Sequence, residues 1–353
     1  MNVKKILSLA ASIIKLFVII LLFSYNSKAE EKNIKYYSDD KGILSLMYHR
    51  FDDNKYPSTN IQMDIFKKQI KIIKDLKYNF YDPKYLEKNF HVPKIEKKIL
   101  ITIDDAFSSF YEFAWPYLRK EKIPFILFIS TKNIGKNGYM SWDQIKELEK
   151  ETTVYIGNHS HTHNYLVDLK NQDFIDDVNT ASRIFNEYLG YKPIFFSYPF
   201  GEYSSSIKEY ISKNFKFSFG QHSGVIDNNK DPHELPRFPI NEKYGDLKRF
   251  KFLINLYPLQ YKILNPDEKY LTNNTNPPKF LVEFFDKQKN IGNINCFSNE
   301  GNRWKKSNTS ILQNSLKIDF SEKFSFRRGR INCSLNDDGI WRWFGVQFSI
   351  KKG

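Results

Sequence analysis

Three of the seven histidines in this 353-residue chain fall within five positions, in the run Gly157-Asn158-His159-Ser160-His161-Thr162-His163. On a tight loop or a helical turn, His159 and His163, four apart, can face one point. Neutral imidazole is a favoured ligand for zinc and neighbouring divalent metals, so the spacing suits a metal site better than an incidental polar loop. A second cluster, Asp104-Asp105, ends the apolar run Ile99-Leu100-Ile101-Thr102-Ile103. Adjacent carboxylates at the end of a buried strand are costly to desolvate unless paired or metal-bound. Their side chains diverge, so one can reach a metal while the other faces substrate. The competing reading of the pair is a cap on a helix over 107–120. Together the clusters fit hydrolysis, with a metal to activate water and a carboxylate to take its proton.

The elements that would carry these residues alternate in type. Between Gly42 and Tyr244, strands are expected over 43–48, 99–103, 125–130, 154–157 and 194–198, and helices over 61–77 and 173–189. Strands separated by helices form parallel βαβ units, and apolar runs without alternation fit strands covered on both faces. The polar residues follow strand ends: His49, Asp104-Asp105, His159 to His163 and Pro199-Phe200-Gly201. Parallel barrels hold their active sites at that end. No Gly-rich phosphate loop follows the first strand, which argues against a dinucleotide fold.

The remaining segments set the context. Lys4 and Lys5, an apolar stretch over 6–23 and small residues up to Ala29 read as a signal peptide over 1–29. An uncleaved membrane anchor is the alternative, against which Lys15 argues; either way the body is exported, to the periplasm or beyond. A net charge of +14 then points to acidic envelope polymer or membrane-surface headgroups rather than nucleic acid, for which no motif occurs. Hydrophobic residues at 41% supply a large core and exclude a disordered chain. Pro266, the Asn-rich run 273–276 and Pro277-Pro278 mark a linker over 266–279, followed by a β-rich accessory domain over 280–353. Cys296 and Cys333 are expected to form a disulfide in an oxidising compartment, with two buried thiols as the alternative. Trp341, Trp343 and Phe344 are expected on a buried strand face, and Trp304 in the same core, rather than on a sugar platform.

Thr102-Ile103-Asp104-Asp105-Ala106 resembles the Thr-Phe-Asp-Asp-Gly motif of polysaccharide deacetylases, the NodB-homology group of carbohydrate esterase family four. His159 to His163, with its Gly-Asn lead-in, is similar to that family's His-Ser/Thr-x-x-His motif, and Phe195 to Gly201 to its third motif. The resemblance covers 42–244, with order and spacing in agreement. It implies a distorted (β/α)7 barrel over 40–265 and metal-dependent removal of acetyl groups from N-acetylated polysaccharide. It further implies Asp105, His159 and His163 as ligands of a divalent metal, commonly Zn²⁺, with Co²⁺ or Ni²⁺ also suited to that set. Asp104 would be the general base, the Phe200 N–H the oxyanion donor and Tyr198 a substrate neighbour.

Three departures from the family pattern stand out. Ala106 replaces a Gly, a small change if the backbone there has negative φ. Ser197 stands where the family has an Arg that pairs with the base. Arg237 is the candidate replacement, with a surface ion pair as its alternative. The closing Leu-x-His motif is missing, and Leu46-Met47-Tyr48-His49 supplies something similar near the start, as in circularly permuted exported exopolysaccharide deacetylases. His49 is therefore preferred as general acid over His222 and His233. His161 is expected to position rather than ligate, and His91 to lie in a surface loop. The competing function is a degenerate homologue that binds glycan without turnover, against which the retained base and ligands argue.

Overall fold

The computed structural model describes residues 40–285 and 290–351, so the signal-peptide segment 1–29 lies outside the described residues. Among those described, no helix is long and apolar enough to cross a membrane. Seven strands form the main path of the first half's sheet, beside short pieces such as Asn79–Phe80: β1 (Ile43–Tyr48), β2 (Lys98–Asp104), β3 (Phe125–Ile129), β4 (Val154–Asn158), β5 (Phe195–Ser197), β6 (Phe217–Phe219) and β7 (Phe238–Pro239). They run parallel in the order β7-β1-β2-β3-β4-β5-β6. Leu46 of β1 pairs with Phe238, while Leu235, three residues upstream, bridges Phe219 of β6. The segment 235–239 thus joins the two edges of the sheet and closes a distorted α/β barrel. Every residue of β3, Phe-Ile-Leu-Phe-Ile, is buried, as a strand covered on both faces requires.

Helices pack outside. α1 (Met63–Asp75) buries Phe66, Ile70 and Ile73, and α2 (Asn171–Leu189) buries Phe174, Val178, Ala181 and Phe185, at helical spacing in each case. Gly190, with φ 83°, ends α2 in the left-handed region. After β2 a turn at Asp105 and Ala106 comes before the helix that begins at Ser108. Among the described residues, no backbone N–H of that helix is bonded to Asp104 or Asp105, so the two carboxylates are left for other work.

The second half is two sheets. Beside the two-residue strand Lys305–Lys306 they include β8 (Tyr257–Pro258), β9 (Ile263–Asn265), β10 (Tyr270–Leu271), β11 (Phe280–Glu283), β12 (Asn295–Ser298), β13 (Asn308–Leu312), β14 (Ser315–Asp319), β15 (Arg328–Asp337) and β16 (Ile340–Ile350). The β15–β16 hairpin is flanked by β8, β10 and β12, and the other sheet runs β9-β11-β14-β13. In β15, Ile331, Cys333 and Leu335 alternate inward. The stretch expected to be a linker is tied into this module: β10 pairs with β16 and Leu271 is buried. The pairing of β8 and β9 carries the β-rich region back to Tyr257. A two-residue strand that borrows its register from a long partner leaves no periodicity to read.

The aromatic face of β16 also differs from expectation. Trp341 is 39% exposed and Trp343 half-buried, whereas Arg342 and Phe344 face inward. Arg342 is held there by Asp337 Oδ2 at 3.0 Å, so a paired guanidinium takes the place expected for indoles. Trp304 is likewise exposed, at 49%.

Cys296 and Cys333 face each other across β12 and β15 and are bonded, closing a separation of 37 residues. Reduction is expected to destabilise this module by about 4 kcal/mol through restored chain freedom. Urea midpoints with and without reductant check this, and coincident midpoints would contradict it.

Lys97, just before β2, is buried with its ammonium bonded to Leu256 O and 3.6 Å from the Tyr257 ring centroid. Burial, aided by the charges of Lys41 and Arg342, pulls its pKa down to about 7. The unfolded chain therefore binds the extra proton between about pH 7 and about pH 10, and stability should rise with pH across that window. Lys97→Met should flatten this rise, as read from denaturant midpoints at the two ends of the window.

Candidate active site

Three loops at the C-terminal ends of β2, β4 and β5 meet at the barrel mouth. Each uses left-handed backbone at non-glycine residues: Asp105 (φ 75°) and Ala106 (56°), Ser160 (66°) and His163 (57°), and Phe200 (60°). Such conformations are held only where surrounding contacts fix them, and they collect at functional sites. The histidine loop is wired by short hydrogen bonds. Asn158 Oδ1 accepts from the Ser160 N–H at 2.8 Å, Ser160 Oγ from the His163 N–H at 3.0 Å, and Asp177 on α2 from the His161 N–H at 2.7 Å. This folds His163 back beside His159, with ring centroids 4.8 Å apart. Gly157 lets β4 pass close to its neighbour, since a Cβ there would meet the Phe128 ring at 2.3 Å.

Asp105 Oδ1 lies 3.7 Å from His159 Nε2 and 3.3 Å from His163 Nε2. The three donor atoms fall within 4.8 Å of one another. Ligand atoms about 2.1 Å from one tetrahedral ion sit about 3.4 Å apart, so the set fits a shared divalent cation. His159 Nδ1 donates to Ser197 O at 2.7 Å, which leaves Nε2 with its lone pair toward the cluster. Burial, more than any neighbouring charge, pushes this imidazole down to about 4, so it is neutral and able to ligate at neutral pH.

Asp104 is fully buried beside that set. Arg237, also fully buried, gives its carboxylate a two-pronged bond, Nη1 to Oδ1 at 2.6 Å and Nη2 to Oδ2 at 2.9 Å. The other three N–H groups of the guanidinium go to Gly220 O (2.9 Å), Thr102 Oγ1 (3.2 Å) and Ser197 Oγ (2.8 Å), so all five are used. Ser197, whose small side chain marked a departure from the family pattern, thus accepts from the arginine that reaches Asp104 from the closing segment. Burial raises the Asp104 pKa, but Arg237, then His159 and His49, outweigh it and hold the carboxyl at about 2. His49 Nε2 stands 3.9 Å from Asp104 Oδ2, beyond hydrogen-bond reach and on the open side.

The remaining candidates divide. The Phe200 ring covers His163 (4.7 Å) and stacks on Tyr165 (4.0 Å). The loop's own bonds run from the Gly201 N–H to Tyr198 O and from the Glu202 N–H to Pro199 O, and the Phe200 N–H takes part in neither. Tyr198, expected beside substrate, is a correction: it is buried against Phe196 and Tyr203, and its hydroxyl donates to His233 O at 3.1 Å. Its side chain follows the strand's inside–outside alternation into the core behind the loop. His161 Nδ1 meets Thr131 Oγ1, His233 Nδ1 meets Ser218 Oγ, and His91 Nδ1 meets Asn228 O, so none of the three joins the cluster. His222 lines a cleft beside the C-terminal module.

Sequence reasoning missed Thr102, Asp177 and Gln347. Gln347 on β16 donates to Phe200 O at 3.0 Å and Gly201 O at 3.1 Å, bracing the loop from the second half of the chain. A glutamine in a strand carries no local mark of such a role. Ala106 does adopt positive φ, contrary to the condition set for it. Ala106→Gly should nonetheless change stability by less than about 1 kcal/mol. Relief of about 1–2 kcal/mol of left-handed strain is offset by a lost buried methyl and by the looser unfolded chain, about 0.8 and about 0.5–1 kcal/mol. Thermal unfolding of the variant checks this.

Residues 91–217, which span the Asp-Asp and histidine motifs, match the polysaccharide deacetylase family. The chain carries a polysaccharide deacetylase domain. It is 24% identical over 277 residues to the poly-beta-1,6-N-acetyl-D-glucosamine N-deacetylase of Staphylococcus aureus strain MRSA252, a match covering 69% of this chain and 94% of that protein. Among solved structures, IcaB from Ammonifex degensii superposes with a TM-score of 0.56 at 24% identity, covering 61% of this chain and 97% of that one. The Streptococcus pyogenes deacetylase PplD, in complex with acetate, gives 0.55 at 19%, covering 61% and 99%. These likenesses establish the barrel fold. Over a third of the chain has no counterpart in either structure.

Proposed function

We propose that this deacetylase is an exported, metal-dependent hydrolase that removes acetyl groups from an N-acetylated polysaccharide. Poly-β-1,6-N-acetylglucosamine, named for the staphylococcal relatives, is the polymer to try first. The observation that carries the reading is the approach of Asp105, His159 and His163 donor atoms to one point beside an Asp104 ionised by Arg237.

Asp105, His159 and His163 would hold the ion, and zinc, cobalt or nickel suits their donor types. When bound, a divalent ion supplies Lewis acidity toward water and toward the acyl carbonyl. The chain's own groups do the rest. Asp104 Oδ2 takes the proton of the attacking water, and Arg237 keeps that oxygen charged and aimed. The Phe200 N–H, free of the loop's own bonds, donates to the oxygen that gains charge as the carbonyl becomes tetrahedral. His49, across from Asp104 at the open mouth, gives its Nε2 proton to the departing amine. Ser197 serves twice, its carbonyl orienting His159 and its hydroxyl orienting Arg237.

The test is to measure bound metal in the purified chain and acetate release from β-1,6-linked N-acetylglucosamine oligomers, before and after chelation. One equivalent of metal and chelator-sensitive release are expected. Substoichiometric metal with undiminished release would overturn the metal role, and binding without release would favour the glycan-binding homologue.

A further inference from the structure

Between the closing segment of the barrel and the β15–β16 hairpin lies a cleft of about 270 Å³. Its walls are apolar and aromatic, with Phe238 on one side and Trp304 and Trp343 on the other. Two arginines also line it: Arg249, on the helix α3 (Leu247–Leu253), and Arg330 of β15. Among the described residues, the lining contains no Asp or Glu, and neither guanidinium forms an ion pair. Arg249 donates to Tyr244 O, and Arg330 Nε donates to Gln347 Oε1 at 3.2 Å. Burial lowers the pKa of both; Asp246 favours the charged Arg249, while Arg328 opposes the charge of Arg330 and Glu202 favours it from a distance.

Two half-buried cations with no carboxylate in direct contact, only charges acting from a distance, are costly to keep in a folded protein. The other buried arginines here are matched, Arg237 by Asp104 and Arg342 by Asp337. A planar guanidinium fits a carboxylate with two parallel bonds, and indole faces fit the apolar face of a pyranose ring. We propose that this cleft binds a sugar unit that carries a carboxylate, with the ring against Trp304 and Trp343 and the acid group on Arg249 and Arg330. The cleft is coupled to the catalytic mouth by one side chain. Gln347 accepts from Arg330 and donates to the carbonyls of Phe200 and Gly201. Its role as a second glycan subsite rests on the deacetylase reading, because only a chain-like substrate would use both places; the binding is measured apart from turnover.

The experiment titrates the full chain by tryptophan fluorescence, at fixed ionic strength, with three probes. Tetragalacturonate carries the carboxylate on the ring, N-acetylglucosaminyl-N-acetylmuramic acid carries it on an ether arm, and tetra-N-acetylglucosamine carries none. An acidic probe is expected to bind at least about tenfold tighter than the neutral one, and the preferred acidic probe identifies the source. Arg249→Gln with Arg330→Gln should erase that preference. Trp304→Ala, at an exposed indole that leaves folding intact, should weaken the acidic probe about tenfold without altering acetate release from short neutral oligomers. Equal affinity for acidic and neutral probes, a preference that survives the arginine substitutions, or undiminished affinity for the acidic probe in Trp304→Ala overturns the proposal. Acetate release without acidic preference removes the cleft alone; acidic preference without acetate release keeps the cleft and removes the deacetylase reading.

Discussion

Asp104→Asn is expected to lower kcat by about 10²–10⁴-fold, the usual range for loss of a positioned proton acceptor. The change is nearly isosteric, and the amide oxygen can keep one of the two bonds from Arg237. Its NH2 group then faces the other guanidinium nitrogen, donor against donor, which should cost about 1–3 kcal/mol of stability. Metal content should hold, because Asp104 is not among the three donors that converge. Steady-state kinetics on N-acetylglucosamine oligomers, run beside metal analysis, separates these effects. A variant of full activity excludes Asp104 as the base, and one that loses metal as well as rate makes it a ligand.

The second large effect is at Arg237. Arg237→Met keeps the bulk of the side chain but strips a fully buried carboxylate of its cation, and leaving a charge unpaired in this way costs about 3–5 kcal/mol. Without Arg237 the burial that raises the Asp104 pKa is opposed only by the histidines, so the carboxyl should bind a proton more readily and activity should fall with stability. Arg237→Lys should rescue little, because a single ammonium cannot reproduce five directed donors to Asp104, Thr102, Ser197 and Gly220. Denaturant midpoints and kcat of the two variants test this. Near wild-type stability in Arg237→Met would mean that Asp104 is not held ionised by this residue.

What could be read in advance was local. The paired histidines sit four residues apart, so a tight turn can bring their rings to one point, and the Asp-Asp step ends an apolar run, where adjacent side chains diverge toward different partners. The apolar runs of β1 to β5 mark strands covered on both faces, and helices between them require a parallel sheet. What the sequence by itself determined was therefore the barrel, the three ligand candidates and the adjacent carboxylate.

The tertiary structure decided the partners. Arg237 and Asp104 are 133 residues apart, and only closure of the barrel by the segment 235–239 brings one beneath the other. His49, the residue after β1, comes opposite Asp104 because β1 and β2 lie side by side, Tyr48 against Ile103. Tyr198 went inward because the pleat of β5, not its motif position, fixes which way a side chain points. Segment 266–279 looked like a tether because two-residue strands such as β10 take their register from β16 rather than from their own pattern. Gln347, Arg330 and the tryptophans around the cleft belong to strands with ordinary composition. Their proximity to the catalytic loop comes from packing between distant parts of the chain, which no local spacing records.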